Sequence, residues 1–132
     1  MAAATKLAAL PSGFDLAQLV ERGLSTNAVA HLRSLGLTFS EVSEFVIPPR
    51  TLKHRKARGE SLSQEETERV VRAARILALA GQVFHNRDKA LKWLRTTDER
   101  IKGRTPLSLL PTEAGGRVVE NMLWQLDEGV YT

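Results

Sequence analysis

Two adjacent prolines, Pro48 and Pro49, constrain this chain more than any other feature, because they separate two stretches of opposite character. Before them, Thr38 with Glu41 three residues later has the form of a capping box. Val42 and Phe45 then share the buried face of a short helix. Pro48 disfavours helical geometry at Ile47, whereas Pro49 suits the first turn of a new helix, where its missing N–H costs nothing. After them, residues 50–58 carry Arg50, Lys53, Arg55, Lys56 and Arg58, with His54 and no acid. The segment from Phe39 to Gly59 therefore predicts a helix-turn-helix whose second helix is cationic.

The charge balance sharpens that reading. The chain has 19 Lys+Arg against 15 Asp+Glu, so removing these five basic residues leaves 14 against 15. The positive charge is concentrated in one helix, which points to a polyanion such as DNA. A charge run is more often a solvated face, but here a proline turn and a capped apolar helix precede it. Leu52 is expected to face inward. Thr51, Lys53 and His54 lie where a recognition helix reaches base edges. Arg50, Lys56 and Arg58 suit phosphates, and Arg55 is expected to lay its stem on the fold with its head at a phosphate.

A chain of 132 residues suits one domain or two small ones and can bury roughly two thirds of its unfolded surface. With no Cys, disulfides and thiolate metal sites are excluded. The N-terminal MAAATKLAAL lacks the apolar run of a signal peptide or a membrane span, so the expectation is a frayed arm on a cytoplasmic protein with no membrane role.

Helix signals continue along the chain. Asp15 and Gln18 open a first helix that Gly23 ends, and Ser25 or Thr26 opens a second that Gly36 ends. Ser63 and Glu66 open a long helix over about 64–84, with Val70, Ala74, Leu77, Gly81 and Phe84 on one stripe and Arg69, Arg72 and Arg75 largely off it. Asn86 or Asp88 starts a helix that buries Ala90, Leu91 and Leu94, with Trp93 beside them. The polar segment Thr96–Arg104 lacks periodicity and reads as a loop. Thr105 and Pro106 then begin a short turn burying Leu107, Leu109 and Leu110. Pro111 stops it, and Thr112 restarts a helix carrying Val118, Val119, Met122, Leu123 and Leu126, which Gly129 closes. No sustained period-two run appears, so the fold class is all-α, divided as 1–62 and 63–132.

No catalytic constellation emerges. Histidines fall at 31, 54 and 85, without zinc spacing. The acid pairs Glu65/Glu66, Asp98/Glu99 and Asp127/Glu128 are adjacent in sequence and point apart on a helix. Gly115-Gly116 has neither a preceding strand nor the lysine of a phosphate loop. Gly115, in the first turn of an amphipathic helix, costs about 1 kcal/mol against Ala. A helix or partner backbone packed close to it would justify that cost. The reading is of a chain with no enzymatic activity, no metal and no cofactor.

With these residues in view, the chain resembles antitoxins of the Xre/MbcA/ParS type, the partners of RES-domain toxins. One block is FVIPPRTLKHR, Phe45 to Arg55, similar to the family's helix-turn-helix core. The other runs from Gly103 to Leu123, GRTPLSLLPTEAGGRVVENML, and is similar to the toxin-binding domain at Gly103, Thr105, Pro106, Leu107, Leu109, Leu110, Thr112, Gly115, Val119 and Leu123. Val46 stands where helix-turn-helix motifs often have Gly, and Asp98-Glu99 stands where an Asn-Pro pair is common.

The resemblance implies an Xre/Cro-like helix-turn-helix followed by a small helical toxin-binding domain. It implies a protein that neutralises a toxin whose activity is the breakdown of NAD and, with that toxin, binds operator DNA to repress their shared operon. A homodimer is expected on separate grounds, because one short helix-turn-helix contacts too little of an operator to be selective alone. Thr105, Pro106, Leu109, Gly115, Val119, Met122, Leu123, Trp124, Val130 and Tyr131 become the expected toxin-binding residues. The alternative is a stand-alone dimeric regulator whose C-terminal domain serves only dimerisation.

Overall fold

Side-chain caps set many of the helix starts, and they do so where short polar residues precede apolar ones. The computed structural model describes Leu7 and residues 10–129. Among these, seven α-helices follow in order: α1 Gly13–Arg22, α2 Asn27–Ser34, α3 Phe39–Phe45, α4 Pro49–Ala57, α5 Gln64–Phe84, α6 Arg87–Leu94 and α7 Glu113–Asp127. The fold is all-α, as its periodicity predicts. Two compact units meet within α5, after Ala74. The first half of that helix thus belongs with the N-terminal unit, whereas a division after residue 62 assigns it to the second.

In the first unit, α3 begins with a complete capping box. The Glu41 amide donates to Thr38 Oγ1 at 3.1 Å and the Thr38 amide to Glu41 Oε1 at 2.8 Å. Pro48 occupies the cap of α4 and Pro49 its first position. Val46 has φ −122°, a conformation that needs no glycine, and its carbonyl accepts from Arg69 Nε at 2.7 Å. The turn is pinned by a side chain from α5, which no local motif foretells.

Helix α1 departs from expectation. Its cap position is Ser12, which makes no side-chain cap bond, and Asp15, three residues on, sits in its first turn, where its charge meets the positive end of the helix. Thr26 holds the cap position of α2 without a side-chain bond, while Ser25 Oγ accepts from the Asn27 amide at 3.3 Å. Gly23, at φ +84°, could not be replaced freely, since a Cβ there would strike the Leu62 carbonyl oxygen. The chain passes that close because the Leu62 amide donates to the Leu24 carbonyl at 2.9 Å.

Leu24, Val29, Leu32, Val42, Ile47, Leu62 and Val70 are buried in this unit. Thr67 is buried with them, and its Oγ1 accepts the Leu24 amide at 3.1 Å, so a backbone donor inside the core is satisfied. Arg72, expected off the apolar stripe, is buried instead, because residues 70–74 are enclosed on every side of α5.

In the second unit Asn86 caps α6 by accepting the Lys89 amide at 2.9 Å, and Ala90, Leu91 and Leu94 are buried. The Trp93 ring lies 6.0 Å from that of Phe84, in tilted contact. The segment expected to be a plain loop is closed on itself. The Asp98 amide donates to the Arg104 carbonyl at 2.9 Å, a 3-10 turn covers Glu99–Ile101, and Lys102 takes a left-handed conformation at φ +59°. Arg100 donates to the Asp98 carboxylate from its amide at 2.8 Å and from Nη2 at 2.7 Å. The Arg100 guanidinium holds the Asp98 carboxyl below its ordinary pKa, against the opposing effect of partial burial. Hydrogen bonds over two to six residues order a stretch that has no apolar period to reveal it.

A second 3-10 turn, Pro106–Leu109, follows, with Thr105 Oγ1 accepting the Ser108 amide at 3.3 Å. Thr112 then caps α7 by accepting the Gly115 amide at 2.9 Å. A Cβ on Gly115 would strike the Leu109 carbonyl oxygen, so the glycine at this costly position answers to the chain's own preceding turn.

Candidate binding surfaces

Helix α4 buries none of its residues. Leu52 and Thr51 are half-buried, and Arg50, Lys53, His54, Lys56 and Arg58 are exposed. A face with so little to bury folds only because its neighbours hold it, and its exposed side is almost wholly cationic. Arg50, Lys53, His54 and Ala57 line one surface groove. The arrangement can neutralise phosphates and lay the first turns of α4 along a nucleic-acid groove.

Arg55 is the exception on this helix. Its Nε donates to Glu66 Oε1 at 3.1 Å and its Nη2 to Glu66 Oε2 at 3.4 Å, while Nη1 stands 3.8 Å from Glu60. The Arg55 side chain is 29% exposed and that of Glu66 only 8%. Burial pushes the Glu66 pKa up, but the Ser63 amide and the Arg55 guanidinium outweigh it and hold the carboxyl below its ordinary value. The same contact raises the pKa of Arg55. The head expected at a phosphate therefore rests on a carboxylate of its own unit. In sequence Glu66 reads only as the partner of Ser63 in a capping box, which it also is, the Ser63 amide donating to Oε1 at 2.7 Å.

The other candidate residues lie in the C-terminal unit, and the structure sorts them by burial. Pro106, Val119, Met122 and Leu123 belong to the core. Their side chains are closed off by the unit's own packing. Thr105, Leu109 and Gly115 are half-buried, with Thr105 engaged as a cap. The apolar surface left outside is Val118, 41% exposed, and Trp124, 46% exposed. Val130 and Tyr131 lie outside the described residues.

Trp124 shares a groove with Arg75, Glu113, Arg117, Glu120 and Asn121. Arg75 pairs with Glu120 at 2.9 Å and approaches Glu113 at 4.0 Å, and Arg117 pairs with Glu113 at 3.4 Å. A half-exposed indole ringed by paired charges has the make-up of a protein-binding anchor with a polar rim. Among the described residues, no group of three or more His, Asp or Glu could hold a metal ion, and no helix is long and apolar enough to cross a membrane.

Comparison with known proteins assigns both parts of the chain to described domains. Residues 15–75 match the Antitoxin Xre-like helix-turn-helix domain, and residues 79–129 match the Antitoxin Xre/MbcA/ParS C-terminal toxin-binding domain. The chain is 36% identical over 120 residues to Antitoxin Xre of Pseudomonas putida, spanning 91% of this chain and 76% of that one. It is 33% identical over 87 residues to Antitoxin Xre of Yersinia enterocolitica, spanning 65% and 59%. Its fold is similar to that of a chain in the crystal structure of the M. tuberculosis MbcT-MbcA toxin-antitoxin complex, with a TM-score of 0.61 and 24% identity over 81% of this chain and 96% of that one.

Proposed function

Since the chain belongs to the Xre/MbcA/ParS family of antitoxins, with a helix-turn-helix and a toxin-binding domain, we propose that its toxin is a RES-domain enzyme that breaks down NAD. The antitoxin holds that enzyme inactive in the cytoplasm and, bound to it, sits on operator DNA and represses the operon that encodes both.

The observation that carries this reading is the joining, in one chain, of an unburied cationic helix to a unit whose outer face presents Trp124 and Val118. The Gly103–Leu123 block supports the class of toxin. That the similar solved fold comes from a toxin-antitoxin complex is compatible with it. In this account α4 meets the operator through Arg50, Thr51, Lys53, His54, Lys56 and Arg58. The exposed side of α7, with the Val130–Thr132 tail, meets the toxin near its NAD-binding cleft. The buried residues Pro106, Val119, Met122 and Leu123 and the half-buried Thr105, Leu109 and Gly115 shape that surface from beneath. A homodimer completes the proposal, because one short helix-turn-helix covers too little of an operator to be selective. The exposed Phe14 on α1 is apolar area available to such a contact.

The test is co-expression of the chain with the product of the gene beside its own, capture of the complex, and measurement of cellular NAD. A co-purifying partner that depletes NAD when expressed alone, and does not when this chain is present, supports the reading. A neighbour that leaves NAD untouched, or fails to bind, overturns it and leaves a stand-alone regulator.

A further inference from the structure

Among the cationic side chains of α4, Arg55 is the one the structure places on a carboxylate, and that contact joins two elements. Glu66 Oε1 accepts from Arg55 Nε at 3.1 Å and from the Ser63 amide at 2.7 Å. One oxygen thus completes the cap of α5 and anchors α4. In return, the Glu66 amide donates to Ser63 Oγ at 3.1 Å. The second oxygen of Glu66 accepts from Arg55 Nη2 at 3.4 Å, so one edge of the guanidinium is held in a bidentate contact that sets its plane. At the end of α4 the Glu60 amide donates to the Arg55 carbonyl at 2.9 Å, so the backbone of Arg55 is tied to the linker as well.

Little else orients this helix. None of its residues is buried, and of its half-buried residues Thr51, Leu52 and Arg55 one, Leu52, has an aliphatic side chain. A helix held by few apolar contacts can roll about its own axis, and a roll of α4 would move Thr51, Lys53 and His54 together away from any base edge they address.

We propose that Arg55 is a positioning residue that fixes the roll of α4 through Glu66, and that it does not neutralise a phosphate. The inference rests on the reading of α4 as the DNA-contacting helix. It makes Glu66, an acid on α5 that is 8% exposed, a determinant of DNA affinity.

The test uses the full-length protein and a duplex carrying the region upstream of its own gene, with affinity measured across a salt series. Four variants are compared: Lys53→Gln, Arg55→Gln, Arg55→Lys and Glu66→Gln. Helical content and denaturation midpoint are recorded for each. A phosphate ligand lost from α4 lowers the log–log salt slope by ~0.9, which is the result expected for Lys53→Gln.

For Arg55→Gln the slope is expected to stay at the wild-type value while affinity falls on the order of tenfold, the factor that goes with losing one charge-assisted hydrogen-bonded contact. Arg55→Lys keeps the charge but loses the bidentate geometry, so it is expected to fall as far. Glu66→Gln discriminates by sign. If Arg55 served a phosphate, removing its competing carboxylate would tighten DNA binding; if Arg55 positions α4, binding weakens with the slope unchanged.

A lowered slope for Arg55→Gln, rescue by Arg55→Lys, or tighter binding by Glu66→Gln overturns the inference and leaves the DNA reading standing. An unchanged slope and affinity for Lys53→Gln removes the DNA reading, and the inference goes with it.

Discussion

Helices α4 and α7 are both read from sequence as contact elements, and they keep their contacts in opposite ways. Helix α4 has nothing buried, so the residues that mark it as a binding element are the residues on its surface. Helix α7 buries Gly116, Val119, Met122 and Leu123, so much of the apolar pattern that makes it conspicuous in sequence lies out of a partner's reach. Charge is costly to bury unpaired and stays outside, whereas an apolar side chain is equally at home in a core or an interface. A cationic helix therefore displays its function, and an apolar helix conceals it among residues that hold the fold.

The largest effect that would sharpen this contrast is on stability. Replacing Leu123 with Ala removes a fully buried side chain and is expected to cost about 3 kcal/mol in chemical denaturation, with toxin binding lost alongside the fold. A cost below about 1 kcal/mol would mean that α7 does not pack as described. Next comes Trp124→Ala. With the indole half-exposed, stability is expected to shift by no more than about 1 kcal/mol, while affinity for the toxin in calorimetry falls by at least about thirtyfold, as for an interface anchor. Loss of stability without loss of affinity would return Trp124 to the role of a fold residue.

A smaller effect belongs to α4. Lys53→Gln with Lys56→Gln is expected to lower the salt slope of DNA binding by about 1.8, two phosphates' worth, with an unchanged denaturation midpoint, since both side chains are exposed. A shifted midpoint would show that these lysines hold the unit together.

The smallest effect is one of pH. The Glu66 carboxyl is held below its ordinary value of 4.5, so its ionised form contributes stability that is complete above that value and fades as pH falls through the folded-state pKa. On going from neutral pH to about 3, the wild type is expected to lose about 1 kcal/mol more than Glu66→Gln. Equal losses would show that the ion pair contributes nothing to the N-terminal unit.

The same contrast explains what could be read in advance. The turn at Pro48-Pro49 and the capping boxes at Thr38/Glu41 and Ser63/Glu66 are legible because the groups that bond lie three residues apart or less. The closed segment from Asp98 to Arg104 is also local, but its order comes from hydrogen bonds without apolar period, and periodicity cannot find it. Arg55 meets Glu66 across the end of one helix and the start of another, and Arg69 reaches the Val46 carbonyl from α5. Pairings of that reach depend on how helices pack and leave no spacing in the chain. Gly115 lies between these cases. Its cost as a helical glycine is visible in sequence, and its cause, the Leu109 carbonyl, needs the fold. In the C-terminal unit the resemblance points to one segment, and only burial separates Trp124 and Val118 from the core residues beside them.

The division of labour between the two helices is tested most directly by NAD content in cells that co-express the neighbouring toxin with one of two variants. Lys53→Gln/Lys56→Gln is predicted to preserve NAD as the wild type does, because α4 takes no part in neutralisation, whereas Trp124→Ala is predicted to let NAD fall. NAD loss with the α4 variant and full protection with the α7 variant would contradict the account.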